Sequence, residues 1–520
     1  MPVAASTGCA RVSDAGVGAA AGFGSASAAA AADAVDAVVV GAGPNGLAAA
    51  VILARAGLAV TLFERASTIG GGARTAELTL PGFRHDVCSA VHPMAVVSPF
   101  FRAFELARRV ELVTPEISYA HPLDGGAAGI AYRDLARTVD GLGTDGPSWR
   151  RLFGPLSAHV DAVAQLSAAS LVRFPRHPIV LAGLGLRALE QGSGAWSRRF
   201  SGEVAPALFT GVLAHANRAL PDVGAASAGL VLASHAHAGG WPIPVGGSQS
   251  IVDAMASDFR AHGGTIVTDV EITSLDQLPA AKATLLDLTP RALAGLAGDR
   301  LRERDRRRLA RFRYGRAVFK VDYALDGPVP WRHPELADAL TLHLGGTRAE
   351  ITAAEREVEL GRAPESPYVL VSQPSRFDGS RAPAGKHVLW AYTHVPAGST
   401  EDRTAAVTNQ IERFAPGFRD LIVASVASTA QEVEAHNPSY VGGDIASGDV
   451  SLRQLIERPR VFDPWRTPLP GVYLCGASTA PGPGVHGMGG FNAARRALAR
   501  EFGMTIPDLG LDQTPVRPSA

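Results

Sequence analysis

The sequence predicts an α/β protein organised around a parallel sheet whose strands come from stretches far apart in the chain. Three observations carry that reading. An apolar strand runs through a glycine turn into a helix at residues 38–55, a second strand ends in a carboxylate at Glu64, and a third strand enters a glycine-dense loop and a helix at residues 471–502.

The first unit reads Val38-Val39-Val40 and then Gly41-Ala42-Gly43-Pro44-Asn45-Gly46, which is G-x-G-x-x-G between a strand and a helix. Gly41 permits the tight turn, Gly43 lets the backbone approach a pyrophosphate, and Gly46 allows the helix to pack closely on the strand. The helix opening at Pro44 and Asn45 turns its free N–H groups towards the phosphates and stops near Gly57. Leu58 to Phe63 forms the second strand. Its terminal Glu64, about twenty residues past the glycines, stands where ribose hydroxyls need an acceptor. A dinucleotide cofactor follows.

The next residues choose among dinucleotides. Glu64-Arg65 leads into Ile69-Gly70-Gly71-Gly72-Ala73-Arg74-Thr75. Gly71 and Gly72 allow main-chain N–H groups to crowd an anion, and Arg74 offers a planar fork to phosphate or flavin oxygens. This cluster resembles the second phosphate signature of FAD enzymes, so FAD is the expected cofactor, with Arg65 beside it.

A second contribution to the sheet starts at Gly239-Gly240-Trp241-Pro242-Ile243-Pro244-Val245-Gly246-Gly247-Ser248. Ser248 is expected to cap a helix carrying Ile251, Met255 and Phe259 at one-turn spacing. Short strands are expected at Thr265–Val267 and Val270–Ile272, with the Ile272 backbone beside the adenine. The third contribution is the strand Gly471–Cys475, followed by a loop from Gly476 through His486, Gly487 and Met488, and a helix from about Asn492 to Phe502. Bare amides at such glycine density suit a flavin ring, whose reduced form carries negative charge.

These motifs, GAGPNG with Glu64, GGGART, WPIPVGG and the terminal LCGASTAPGPGVHGMGGFNAARRAL, resemble the phytoene desaturase-like FAD oxidoreductases over about residues 36–505. Within them it resembles the branch called pyridine nucleotide-disulphide oxidoreductase domain-containing protein 2. The resemblance implies a Rossmann-type, glutathione reductase-like FAD domain with an inserted α+β substrate domain. Its expected boundaries are 36–110, 239–300 and 461–505 for the FAD domain, and 111–238 and 301–460 for the substrate domain. Residues 1–35 are expected to be a disordered Ala/Gly-rich extension, and 506–520 a tail. Gly476-Ala477 replaces the terminal Gly-Asp pair of related flavoproteins, which removes an expected carboxylate contact to the ribityl chain. The branch's disulphide name also implies a chemistry that Cys9, Cys88 and Cys475 do not support, since no C-x-x-C occurs.

Composition narrows the rest. Lys+Arg 49 against Asp+Glu 49 leaves formal net charge +0, which argues against nucleic acid as a partner. Nothing in the cysteine or histidine spacing suggests a metal site, and the scattered cysteines suit a reducing, cytoplasmic setting. No run approaches the ~20 apolar residues of a spanning helix. The segment Leu171 to Leu186, apolar with basic edges, is either a packed helix or a peripheral membrane contact. Arg300–Arg316 reads as a solvated, ion-paired helix, and Phe319–Leu325 as a strand with Lys320 turned to solvent. A further G-x-G-x-x-G at Gly141–Gly146 lacks a preceding strand and is not expected to hold a nicotinamide.

Catalytic side chains are the least defined part, because a flavin accepts hydride without an obligatory protein acid or base. His486, inside the flavin-facing loop, is the candidate, and His92 is read as a buried structural histidine. The expected activity is FAD-dependent dehydrogenation of a lipophilic, isoprenoid- or carotenoid-like substrate by hydride transfer to flavin N5, with oxygen or a quinone as electron acceptor. The alternatives are an amine oxidase-like flavoenzyme, for which an aromatic pair would flank the flavin, and a flavin-bound interaction protein without turnover.

Overall fold

The computed structural model describes residues 35–166, 168–172 and 175–511. The expected disordered extension, apart from Val35, therefore lies outside the described residues, as do Arg173, Phe174 and most of the tail.

Two sheets organise the chain. The first is five-stranded and parallel throughout, in the order Val472–Leu474, Ala283–Leu286, Ala37–Val40, Val60–Phe63, Thr265–Val267. Its central strand is buried on both faces. Ala37 and Val39 join the apolar cluster under the helices Pro44–Arg55, Gln249–Ala261 and Met488–Ala497, whereas Val38 and Val40 join the opposite cluster with Leu286, Leu293 and Leu474. Covering helices on both faces explain why this strand reads as an unbroken apolar run, with no alternation.

The second sheet has seven strands in the order Ile422–Ser428, Ala317–Leu325, His387–Val395, Val369–Ser372, Ala339–Leu344, Ile117–Pro122, Ala128–Tyr132. All its pairings are antiparallel except that of Ala339–Leu344 with Ile117–Pro122. One face packs on the helices Gly146–Ser157, Val204–Leu213 and Val223–Ala236.

Several local expectations change. Val270–Ile272 forms no strand: the Val270 N–H donates to the Glu64 carbonyl at 3.0 Å, and the chain then leaves the sheet. Ser248 caps nothing, because its hydroxyl is already committed to the Ser89 carbonyl at 2.5 Å. The final helix starts at Met488, ahead of Asn492, and ends in a π-turn at Leu498–Phe502. Lys320 is buried (6% exposed) and ion-paired with Asp322, since both faces of its strand are covered. The strand Ala283–Leu286 was not expected. Its four residues carry no turn signal of their own, and the apolar run ending in Asp287 is the only trace it leaves in the sequence.

The expectations at Arg300–Arg316 and Gly141–Gly146 agree with the structure. The helix Glu303–Ala310 carries the Arg307–Glu303 pair at 2.7 Å. The second glycine pattern is a 3₁₀ turn, Gly143–Asp145, between two helices.

Candidate functional site

The glycine loops meet. The Gly70 N–H donates to the Ala42 carbonyl at 2.9 Å, and the Gly489 N–H donates to the Asn45 side-chain oxygen at 3.1 Å. Close approach explains the glycines: a Cβ on Gly71 would lie 3.1 Å from the Gly43 Cα, and one on Gly43 would lie 2.6 Å from an Asp287 carboxylate oxygen. Residues 40–46, 70–74 and 476–490, remote in sequence, thus form one wall.

That wall bounds a cavity of about 1180 Å³. Gly41, Gly43, Pro44 and Asn45 line it from the first loop, and Glu64, Arg65, Gly71, Gly72 and Arg74 from the second. Ile272 and Gly476 close that end. Gly46, Gly487 and Met488 do not line it. Gly46 packs on the Gly41 carbonyl, 2.0 Å from where its Cβ would stand, and Gly487, at φ +67°, leaves room for Phe100. The Met488 N–H is taken by His486 Nδ1 at 3.0 Å.

The polar groups are held by local bonds. The Glu64 carboxylate accepts the N–H groups of Ala42 at 2.8 Å and Ala66 at 2.9 Å, which fixes it at the strand end. Arg74 Nε donates to the Gly71 carbonyl at 2.9 Å, and its Nη2 meets His436 Nε2 at 2.8 Å. Arg65 donates to the carbonyls of Ala435 and His436. Both arginines therefore hold the C-terminal end of the helix Ala430–His436 against the glycine loop. Burial first, then the charges of Arg74, Arg65 and Lys320, together lower the His436 pKa to about 4, so its imidazole is neutral and accepts from Arg74.

His486 has both ring nitrogens engaged: Nδ1 accepts from Met488, which leaves Nε2 to donate to the Gly482 carbonyl at 3.2 Å. Burial holds its pKa at about 4. It braces the loop and has no nitrogen left for a reacting group. His92 is buried as expected, its Nε2 2.8 Å from the Ser248 hydroxyl.

Sequence reading missed the far half of the cavity. There Trp390 and Tyr392 project from one face of the strand His387–Val395, with ring centroids 5.2 Å apart and planes at 89°. His215 also lines this half, its Nε2 2.7 Å from His343 Nε2. The helices Pro178–Gln191, Val223–Ala236 and Leu452–Glu457 contribute Leu184, Val231 and Leu455. The period-2 pattern of Trp390 and Tyr392 was the only available signal, and core strands share it.

The carboxylates lining the cavity, Glu64, Glu271 and Asp287, all stand at the glycine-loop end. A volume above the roughly 300–1,000 Å³ of ordinary small-molecule pockets leaves room for a dinucleotide and a second molecule. The glycine cradle, the ribose-side carboxylate and the paired arginines fit FAD in chemistry and shape.

A parallel sheet whose glycine turns grip a dinucleotide, opening onto an apolar chamber, defines a flavin-dependent oxidoreductase. The chain belongs to the flavin containing amine oxidoreductase family, whose pattern covers residues 45–498. FAD is its cofactor. It is similar to the pyridine nucleotide-disulfide oxidoreductase domain-containing protein 2 of Rattus norvegicus, at 27% identity over 88% of this chain and 92% of that protein. It also resembles the phytoene dehydrogenase of Streptomyces griseus, at 26% identity over 75% of this chain and 78% of that one. In fold it matches wild-type putrescine oxidase bound to putrescine, with TM-score 0.55 and 17% identity over 90% of this chain and 99% of that one.

Proposed function

We propose that this oxidoreductase dehydrogenates a lipophilic, isoprenoid-like substrate held in the far half of the cavity. The observation that supports this best is the lining. Among the described residues, no carboxylate reaches that half, whereas Leu181, Leu184, Ala188, Val231, Leu455 and Ile456 do. A cationic amine would be desolvated there without a counter-charge, at a cost of several kcal/mol. The aromatic pair expected of an amine oxidase has a partial counterpart in Trp390 and Tyr392, but their planes are perpendicular.

When bound, FAD would supply the two-electron acceptor for a hydride leaving one substrate C–H bond, while the adjacent carbon releases a proton to solvent and the double bond forms between the two carbons. The chain's own residues do the rest. Glu64 and the residue 70–74 loop hold the adenosine and phosphate end, His486 braces the loop of residues 476–487, and the apolar walls orient the chain and exclude water. Oxygen or a quinone then takes the electrons. The proposed division places residues 36–110, 239–300 and 461–505 in the cofactor domain and the remainder of 111–460 in the substrate domain. It is supported by the strand membership of the two sheets.

Anaerobic mixing of the holoprotein with phytoene and other linear isoprenoids is expected to bleach the flavin band and yield a product with one more double bond. Bleaching by primary amines alone would support the amine reading. A flavin inert to both panels would leave only the binding-protein reading.

The cavity mouth adds a second proposal, contact with a bilayer surface. No helix among the described residues is long and apolar enough to cross a membrane. The helix Pro178–Gln191 nevertheless turns Ile179 (86% exposed), Leu186 (70%) and Leu189 (57%) outwards. Leu171, Val172, Leu189 and Leu452 are both exposed and part of the lining, so the apolar surface continues into the chamber. A bilayer is the occupant that would cover this surface and deliver a lipophilic substrate. Wild-type protein is expected to float with phosphatidylcholine vesicles. Joint replacement Ile179→Asp, Leu186→Asp and Leu189→Asp should cut binding at least tenfold, given about 1.5–3 kcal/mol for each large apolar side chain buried. Equal flotation of wild type and variant would refute the contact.

A further inference from the structure

Asp287 ends the strand Ala283–Leu286 and carries a carboxyl group that the sequence reading did not assign. It lines the cavity at the junction of the glycine loops. Its Oδ2 accepts the Gly46 N–H at 2.9 Å, and the same oxygen lies 2.6 Å from where a Gly43 Cβ would stand. Its Oδ1 lies 3.0 Å from the corresponding point on Gly476. The carboxyl group therefore occupies the spot on which both loops converge, where a G-x-G-x-x-G turn receives a pyrophosphate.

An ionised carboxylate at that point would place a third negative charge beside the two of a pyrophosphate, in surroundings of low dielectric. A neutral carboxylic acid has the opposite effect, because its O–H donates to a phosphate oxygen while the other lone pairs still accept from Gly46. We propose that Asp287 binds the FAD pyrophosphate as the neutral acid, so that the protein's hold on its cofactor weakens when this one side chain ionises.

The groups facing Asp287 agree with that role. Glu64, at the end of the strand Val60–Phe63 on the far side of Ala37–Val40, is acidic, and no cation pairs with Asp287 among the described residues. Tyr440 and Cys475, the other titratable neighbours, are held neutral: burial raises both pKa values well above normal. Burial likewise raises Asp287, the Gly46 N–H opposes that rise and Glu64 adds to it, which together bring its pKa to about 7. An adjacent phosphate anion favours the protonated form still more. FAD binding is therefore coupled to proton uptake. The sign follows from linkage: affinity is full below the pKa of the free carboxyl group and falls as pH rises through it, by up to about tenfold per pH unit.

The test uses the full-length holoprotein, diluted into buffers from about pH 6 to about pH 8.5, with released FAD read by its fluorescence. The wild-type dissociation constant should stay level in acid and rise at least tenfold across the alkaline half of the range. Asp287→Asn keeps the shape and an N–H donor but cannot ionise, and its dissociation constant should change by less than about threefold. A level wild-type profile, or an Asp287→Asn profile as steep as wild type, overturns the proposal. Should the variant fold poorly, calorimetry of FAD binding to deflavinated wild-type protein at about pH 8 decides, using buffers of different ionisation heat. Uptake of close to one proton supports the role of Asp287, and no uptake removes it.

Discussion

Replacing Gly490 with alanine is expected to yield protein that is less stable and largely colourless, although alanine favours helices. In an open helix the exchange would gain about 1 kcal/mol. Here the new methyl would stand 1.9 Å from the Asn45 carbonyl oxygen and 2.9 Å from the Ala49 nitrogen. Both are backbone atoms of the helix Pro44–Arg55, so no rotamer change relieves the clash. The helix Met488–Ala497 must move away, taking with it the Gly489 N–H that bonds Asn45. Overpacking costs about 1–3 kcal/mol or more, which outweighs the propensity gain. The unfolding midpoint and the flavin-to-protein absorbance ratio should both fall. Gly154→Ala is the control: its nearest non-local atoms lie 3.8 Å away, and it should be neutral or slightly stabilising. Full flavin content in Gly490→Ala would show that the two helices are not held in register.

Arg381→Met is expected to be the most destabilising single change away from the cavity. Arg381 is fully buried, its Nη2 2.5 Å from an Asp86 carboxylate oxygen, and its Nε donates to the Arg84 carbonyl at 3.1 Å. Asp86 also accepts from Thr75 Oγ1 at 2.8 Å and the Ser248 N–H at 2.9 Å. Removing the guanidinium leaves a carboxylate buried without its counter-ion, at a cost of about 3–5 kcal/mol. Because Thr75 and Ser248 border the Gly70–Arg74 loop and the Gly246-Gly247 turn, flavin retention should weaken as well.

The pH dependence has a definite sign. Burial alone would raise the Asp86 pKa, but the charge and hydrogen bond of Arg381, with Ser248 and Thr75, bring it below the usual carboxylate value. A carboxyl group depressed in the folded state contributes stability above its unfolded pKa and loses it as acid protonates the group. The gap between wild type and Arg381→Met should therefore be widest near neutrality and close in acid. Adding Asp86→Asn should recover part of the loss. A variant as stable as wild type at neutral pH would show that the pair is dispensable.

Legibility followed the range of the interactions. That Gly41, Gly43, Glu64, Gly71 and Arg74 would share one cavity was readable because the motifs that carry them each depend on residues a few positions apart. Gly487 was expected beside the flavin and does not line the cavity, since glycine density records only that something comes close, and here the close object is the Phe100 ring. Lys320 was assigned to solvent from strand alternation, which assumes one wet face. This strand has none, and Asp322 balances the charge. The marks left by Asp287 and the Trp390–Tyr392 pair, an apolar run and a period-2 pattern, are shared by ordinary core strands, because each residue gains its place from loops or helices far away in the chain.

By itself the sequence determined the cofactor: local backbone geometry dictates where glycine, an acid and an arginine must fall around a dinucleotide, and those constraints act within short spans. Only the tertiary structure decided which walls line the far half of the cavity, which charges are buried in pairs, and which carboxyl group stands where the glycine loops converge. Those features depend on burial and on contacts between distant segments, and neither is encoded at any single position.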